Sequence, residues 1–263
     1  MDPSTLNEHC TDVPTPENAF ALYGDDWEYF KLKPAGDGRR LYEVLPRGIV
    51  SFCDERIGGF YGKSVLELGP YEGYHTAVMA RAGARSITAI EANPNNFLKC
   101  LIVSNHFKLK NVRFLLGDFS KYFQSNEERF DFVLASGVLY HLATPFEVLW
   151  HLTQITDSIG ICTTYYDELN QLFKFTGKKR LVTYDDAEPF VLHQRYNPVQ
   201  VKGKKHGILP EAWMFSLDDL LRFLDFRNFD VELRDRPDDP TRQVGPRIQL
   251  LAKRRDTVQS GTA

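Results

Sequence analysis

The stretch Val65-Leu66-Glu67-Leu68-Gly69-Pro70-Tyr71-Glu72-Gly73-Tyr74-His75 sets one acid in an apolar run and a second inside a glycine turn. A third acid, Glu91, closes the apolar run Ile87-Thr88-Ala89-Ile90, eighteen positions after Gly73. In a doubly wound sheet, the order strand, glycine turn, helix, strand, acid holds an adenosine-type ligand. The glycines let the backbone come close, and the terminal acid accepts the ribose hydroxyls. The glycine spacing narrows the ligand further. A pyrophosphate calls for G-x-G-x-x-G over a helix N-terminus. Here the middle glycine position is Tyr71, and Glu72 lies within the turn. Bulk and negative charge oppose a pyrophosphate. They suit a ligand with an ammonium group, a sulfonium centre and no phosphate, and Glu67 adds negative charge near such a cation.

Two later segments carry the remaining candidates. Asn111-Val112-Arg113-Phe114-Leu115-Leu116-Gly117-Asp118-Phe119 is a strand followed by an acid, and a plain helix N-cap at Asp118 is the structural alternative. Phe130-Asp131-Phe132-Val133-Leu134-Ala135-Ser136-Gly137-Val138-Leu139-Tyr140-His141-Leu142 is a strand and its exit. Open parallel sheets bind ligands beyond the carboxyl ends of their strands, which is where Ser136 to His141 fall. Loop packing is the structural alternative for Tyr140 and His141.

The glycine turn resembles motif I of the class I S-adenosylmethionine (SAM) methyltransferases, and Glu91 resembles their ribose-binding acid. The resemblance implies SAM as cofactor, with S-adenosyl-L-homocysteine (SAH) as product. It implies a cofactor site made of Glu67, Gly69, Pro70, Tyr71, Gly73, Glu91, Ala92, Asn93, Gly117, Asp118, Phe119, Ser136 and Gly137. Asp118 would accept from the adenine amino group, Phe119 would pack on the ring, and the small Ser136 and Gly137 would leave room for the methionine portion. In the words Gly137-Val138-Leu139-Tyr140-His141 and Gly73-Tyr74-His75, the chain is similar to the tRNA wobble-uridine carboxymethyltransferases, which use carboxy-SAM. That similarity runs from Ser64 to Leu152 and more faintly from Trp213 to Asp230. Leu142 stands where that family typically has arginine, and residues 166–212 differ from it. The resemblance carries fold, cofactor pocket and sulfonium chemistry, without the tRNA or the carboxy group.

The elements that must position these residues alternate. Strands are expected at Ser64–Leu68, Ser86–Glu91, Val112–Leu116, Phe130–Ala135 and Gly160–Thr164. Helices start at Asn93-Pro94 and at the capping box Thr144-Pro145-Phe146-Glu147, the latter running through Thr153. A further helix covers Arg40–Glu55. Ser216 opens another that ends near Phe226, and strands at Val231–Arg234 and Ile248–Lys253 finish the chain. The expected fold is α/β: a Rossmann-like, doubly wound, mostly parallel seven-stranded sheet with a C-terminal antiparallel hairpin. The expected division is an N-terminal helical or lid segment at 1–60, a SAM-binding core at 61–165, a substrate-side insertion at 166–212, the rest of the core sheet at 213–254 and a tail at 255–263.

Residues 166–212 show no clean period but many aromatic and basic side chains. With Phe20–Phe30 they are expected to form a lid and acceptor pocket, with Trp27, Tyr165, Tyr196 and Trp213 binding substrate; a dimer interface or packing on the back of the sheet is the alternative. Tyr166, His193 and His206 are further candidates, and Lys178-Lys179-Arg180, Arg195 and Lys202, Lys204 and Lys205 could meet an anion. Transfer from a sulfonium is an in-line displacement, so the protein mainly aligns the acceptor and excludes water. A base is needed only where the acceptor keeps its proton at neutral pH. His141 is the candidate, with Tyr140 orienting the acceptor.

Composition sets bounds. The 263 residues, 43% hydrophobic and 25% charged, are ordinary globular values. A net charge of −3 advertises no nucleic-acid surface. Cys10, Cys53, Cys100 and Cys162 form no C-x-x-C pair, so reduced, buried thiols are expected and no metal or disulfide framework. No secretory signal or membrane span is read, so a cytoplasmic protein is expected. Three functions fit: a methyltransferase for N, O or C of a small-molecule acceptor, a tRNA-modifying enzyme, and a non-catalytic SAM-fold protein. Oligomeric state is not legible.

Overall fold

A computed structural model describes residues 9–30, 48–169, 175–184, 186–196, 208, 211–234 and 246–256. Seven strands form one sheet in the order β3-β2-β1-β4-β5-β10-β9, and three form a second in the order β6-β7-β8. The chain falls into two compact units, Met1–Tyr122 and Phe123–Ala263.

The first unit opens with α1 (Pro16–Ala21), a short 3-10 turn at Gly24–Asp26 and α2 (Ile49–Arg56). The expected helix from Arg40 begins, among the described residues, only at Ile49, and Pro46 lies outside them. Then β1 (Ser64–Leu68), α3 (Tyr74–Arg81), β2 (Ser86–Glu91), α4 (Pro94–Phe107), β3 (Val112–Leu116) and α5 (Phe119–Ser125) alternate as the sequence pattern requires. β1 pairs parallel with β2, and β2 with β3, the latter register ending at Glu91 opposite Leu116. β1 is buried at every position, which explains its unbroken apolar run around one acid. Asn93 caps α4, its side chain accepting from Asn95 N and Asn96 N, with Pro94 first in the helix.

The second unit contains β4 (Phe132–Ser136), a 3-10 turn at Leu139–His141, α6 (Pro145–Ile155) and β5 (Ser158–Thr164). After them come β6 (Lys179–Val182), β7 (Phe190–Tyr196), β8 (Ala212–Phe215), α7 (Leu217–Phe226), β9 (Phe229–Leu233) and β10 (Arg247–Arg254). β4 starts two residues later than expected, because Phe130 makes only an isolated bridge to Thr156. β5 starts two residues earlier, at Ser158. Thr144 precedes α6 as expected, but its side chain makes no capping hydrogen bond. Ser216 does cap α7, accepting from Asp219 N. The final hairpin is antiparallel: β10 pairs with both β5 and β9.

The aperiodic 166–212 region is the main departure. It holds two of the three strands of an antiparallel sheet, β6 with β7 and β7 with β8. Its core is aromatic: Phe190 and Phe215 pack on Phe146 of α6, and Phe190 also meets Phe223 of α7. Cys53, Cys100 and Cys162 are buried thiols, but Cys10 is exposed, contrary to expectation. His206, Lys202, Lys204 and Lys205 lie outside the described residues, as do most of the two chain ends. Among the described residues no helix is long and apolar enough to cross a membrane.

Candidate active site

In the first unit the glycine turn connects β1 to α3. Gly69 N donates to Ile90 O, and Gly73 N to Pro70 O, so the turn is pinned to β2 and closed on itself. Gly73 sits at φ +78°, and a Cβ there would lie 3.4 Å from Phe114 and 3.6 Å from the Cys100 backbone. Those are ordinary contacts, so it is the left-handed conformation that calls for glycine. Tyr71, in the middle glycine position, is itself left-handed at φ 59°.

That conformation aims the Tyr71 N–H at Glu91. Tyr71 N donates to Oε2 at 3.0 Å and Asn93 N to Oε1 at 2.8 Å. Burial still raises the Glu91 carboxyl above its ordinary range, opposed by the N–H groups of Asn93, Tyr71 and Ala92 and by the Asn96 side chain. A carboxylate fixed through both oxygens keeps acceptor capacity for a vicinal diol, as a ribose requires. Gly117 N donates to Glu91 O, bringing the end of β3 to the same point. Asp118 opens α5 and its side chain accepts from Ser120 N at 2.8 Å, the local capping bond weighed above as its alternative. Phe119 beside it is buried.

Glu67, at 1% exposure, is buried beside the turn. Burial pushes its carboxyl up to about 8, against the Thr76 hydroxyl that donates to it, while Glu91 adds to the rise. His75 Nδ1 lies 3.9 Å away. Glu72 has a different task from the one its place in the turn suggests. It accepts from Glu28 N and Tyr29 N at 3.0 Å and pairs with Lys99 Nζ at 2.8 Å. Lys99 Nζ also donates to Asp26 O. The negative charge inside the turn is therefore matched by a buried cation, and the pair fastens the N-terminal segment to α4.

That segment corrects the choice of Trp27 as a pocket wall. Trp27 is 1% exposed, donates to Phe20 O and packs between Phe20, Tyr23 and Phe30. An interior ring has no free face for an acceptor. Tyr29, which is half exposed, is what the segment leaves at the surface. It stacks on Tyr74 at 5.4 Å and lies 6.3 Å from Tyr71.

In the second unit Ser136 and Gly137 leave β4 partly exposed, and Gly137 N donates to Cys162 O of β5. The next turn carries Tyr140 and His141, their rings 4.2 Å apart and both partly exposed. The small sheet grips this turn. Trp213 N donates to Leu142 O, Arg180 to Ala143 O, and Arg195 to Tyr140 O at 3.3 Å. The Arg195 guanidinium also covers the Tyr140 ring at 5.1 Å. Tyr165 follows β5, its N–H donating to Pro246 O. Tyr166 instead stacks on His193 at 3.5 Å. Tyr196 pairs through its backbone with Ala212, and its side chain is outside the description. The sequence signals for Arg180 and Arg195 were the Lys178-Lys179-Arg180 cluster and a single arginine in an aperiodic stretch, too weak to set them at this turn.

A methyltransferase-domain family model matches residues 60–205 of this chain. The chain belongs to the methyltransferase domain family. It is a SAM-dependent methyltransferase, with SAM as cofactor and SAH as product. Solved structures share the fold. The N-terminal domain of EvdMO1 with SAH bound is 20% identical, over 97% of this chain and 98% of that one, with a TM-score of 0.66. The Burkholderia thailandensis 1,6-didemethyltoxoflavin-N1-methyltransferase, with its substrate and SAH bound, is 18% identical over 94% of each chain, at a TM-score of 0.51. The Synechocystis magnesium protoporphyrin IX methyltransferase with bound SAM is 14% identical over 78% of this chain and 77% of that one, at 0.50. No curated protein matches the chain by sequence.

Proposed function

We propose that this methyltransferase moves the methyl group of SAM to N, O or C of a small-molecule acceptor. SAM supplies a methyl group already activated on a sulfonium. The protein's residues then hold, align and exclude water. In this reading Glu91 binds the ribose, and the glycine turn with Ala92, Asn93, Gly117, Asp118 and Phe119 completes the nucleoside side. Ser136 and Gly137 give room to the methionine portion. Tyr140 orients the acceptor, and His141 takes its proton where it has one to lose. Tyr165, Tyr196 and Trp213 contribute to the acceptor side.

The observation that carries the reading is the Glu91 carboxylate fixed by Tyr71 N and Asn93 N at the end of β2. The small-molecule class is supported by structural relatives whose names give toxoflavin and porphyrin precursors as substrates, and by EvdMO1 crystallised in the presence of D-fucose. A net charge of −3 supports it over a phosphate-rich partner.

Mass spectrometry of the copurified ligand, followed by label transfer from methyl-labelled SAM, tests the reading. Label is expected in a protein-free and RNA-free metabolite fraction. Copurified carboxy-SAM, or label entering tRNA instead, would establish the tRNA-modifying alternative. His141→Ala should lower turnover with SAH affinity unchanged, as for a group that acts only in the transition state.

A further inference from the structure

We propose that Arg180 and Trp213 form an anchor for an oxyanion on the acceptor, in the first instance a carboxylate. The proposal rests on the reading that the Tyr140–His141 turn faces the acceptor, and it adds the acceptor's charge.

The two residues share a face of the small sheet. Arg180 stands opposite Leu192, and Leu192 opposite Phe215. Trp213, two positions before Phe215, points to the same side. The Arg180 guanidinium lies over the indole ring at 4.5 Å. Both side chains belong to strands bonded to the turn after β4, through Ala143 O and Leu142 O. The anchor is therefore built onto the segment that carries Tyr140 and His141.

What points to a ligand is the pair of unmet donors. Trp213 is 7% exposed, and its Nε1 is buried with no partner among the described residues. Arg180 Nε is likewise buried and unmet. Arg180 pairs with no carboxylate among the described residues, its guanidinium being held only by the Ala143 carbonyl and the Trp213 face. A half-buried guanidinium without a counter-charge is costly, and so is a buried N–H left unbonded. An oxyanion relieves both at once. Guanidinium and indole are donor-only groups, so they select acceptor atoms, and the fixed positive charge selects an anion over a neutral carbonyl. Arg195, covering the Tyr140 ring, adds a second guanidinium on the same turn.

The test uses a matched probe pair, benzoate and benzamide, titrated into the full chain loaded with SAH and followed by saturation-transfer NMR. Wild type should bind benzoate about tenfold more tightly than benzamide, as expected for a charge-assisted hydrogen bond. Arg180→Gln should bring the ratio to near unity. Arg180→Lys, which keeps the charge without the planar fork, should leave an intermediate ratio, and Trp213→Phe should weaken benzoate alone. Equal binding of the two probes by wild type, no benzoate binding, or an unchanged ratio in Arg180→Gln would overturn the anchor. Calorimetry with SAH separates the two claims. SAH binding without probe discrimination removes the anchor and leaves the function reading standing. If SAH does not bind, the site reading fails, and the same probe pair on the ligand-free chain still decides the anchor.

Discussion

Glu72 in the first unit and Trp213 in the second are both buried beside a functional motif, and they are treated in opposite ways. Glu72 is met by two backbone N–H groups and Lys99. Trp213 Nε1, with the Arg180 guanidinium over its ring, has no partner among the described residues. In the proposed reading the contrast follows from what each region would bind. A cofactor that never changes can be met by a framework complete in itself, so its polar groups close on one another. A region that recognises one acceptor keeps donors open, because a donor satisfied internally is unavailable to a ligand.

The largest test of this contrast strikes the completed side. Lys99 is 1% exposed and Glu72 fully buried, so Lys99→Met leaves an uncompensated carboxylate. Breaking one partner of a buried pair costs about 3–5 kcal/mol. Thermal unfolding should show a fall on the order of 10 °C for a chain of this size, and adding Glu72→Gln should restore part of it. A loss below about 1 kcal/mol would mean that the pair does not fasten the N-terminal segment.

Glu91→Ala comes next. It removes the proposed ribose acceptor and two charge-assisted bonds to Tyr71 N and Asn93 N. SAM and SAH affinity should drop by more than tenfold, from about 1.5–3 kcal/mol. Unchanged affinity in a folded variant, read by calorimetry, would take Glu91 out of the site.

Glu67 gives a graded effect, spread over several pH units. Its folded value near 8 lies above the ordinary 4.5. Between these the unfolded chain is ionised there while the folded chain keeps its proton, so stability falls as pH rises. It is fully present below 4.5 and lost through 8, with a limiting slope of about 1.4 kcal/mol per pH unit. Glu67→Gln should flatten the stability profile across that window. A profile of the same slope in the variant would assign the pH dependence to other groups.

The same contrast explains how much could be read from sequence. Strands β1, β2 and β3 fell where expected because the alternation of apolar runs, glycine turn and Asn93-Pro94 cap is local: each signal sits beside what it positions. The turn through Gly69 and Gly73, and Glu91 at the end of β2, fell where expected for the same reason. Trp27 was not, since an aromatic residue reads alike whether it faces a ligand or, as here, fills a core with Phe20 and Phe30. Glu72 was read by its position in the turn, but its role depends on Lys99, 27 residues on. The sheet β6-β7-β8 was missed altogether. Its pairings span non-contiguous segments, and the bulge between Gln194 and Tyr196 breaks the two-residue period.

The smallest expected effect separates an open donor kept for a ligand from one that is merely left over. Tyr184 Oη is also buried without a partner among the described residues. Its ring stacks on Trp150 at 4.7 Å and meets Phe223 edge-on. Burial, with Glu147 adding to it, pushes the phenol up to about 12, so the group stays neutral throughout the working range. Among the described residues no guanidinium lies on its ring to make it a recognition element, unlike the indole of Trp213. Tyr184→Phe keeps the ring contacts and removes only the unmet hydroxyl, so stability should be unchanged or rise by at most about 1 kcal/mol. Benzoate binding should be untouched. Trp213→Phe removes its unmet donor as well, at the cost of a smaller ring in a buried site, and it should weaken benzoate. If both variants weaken the probe equally, the unmet donors of the second unit share one packing defect. If only Trp213→Phe does, the open donor beside Arg180 is there for a ligand.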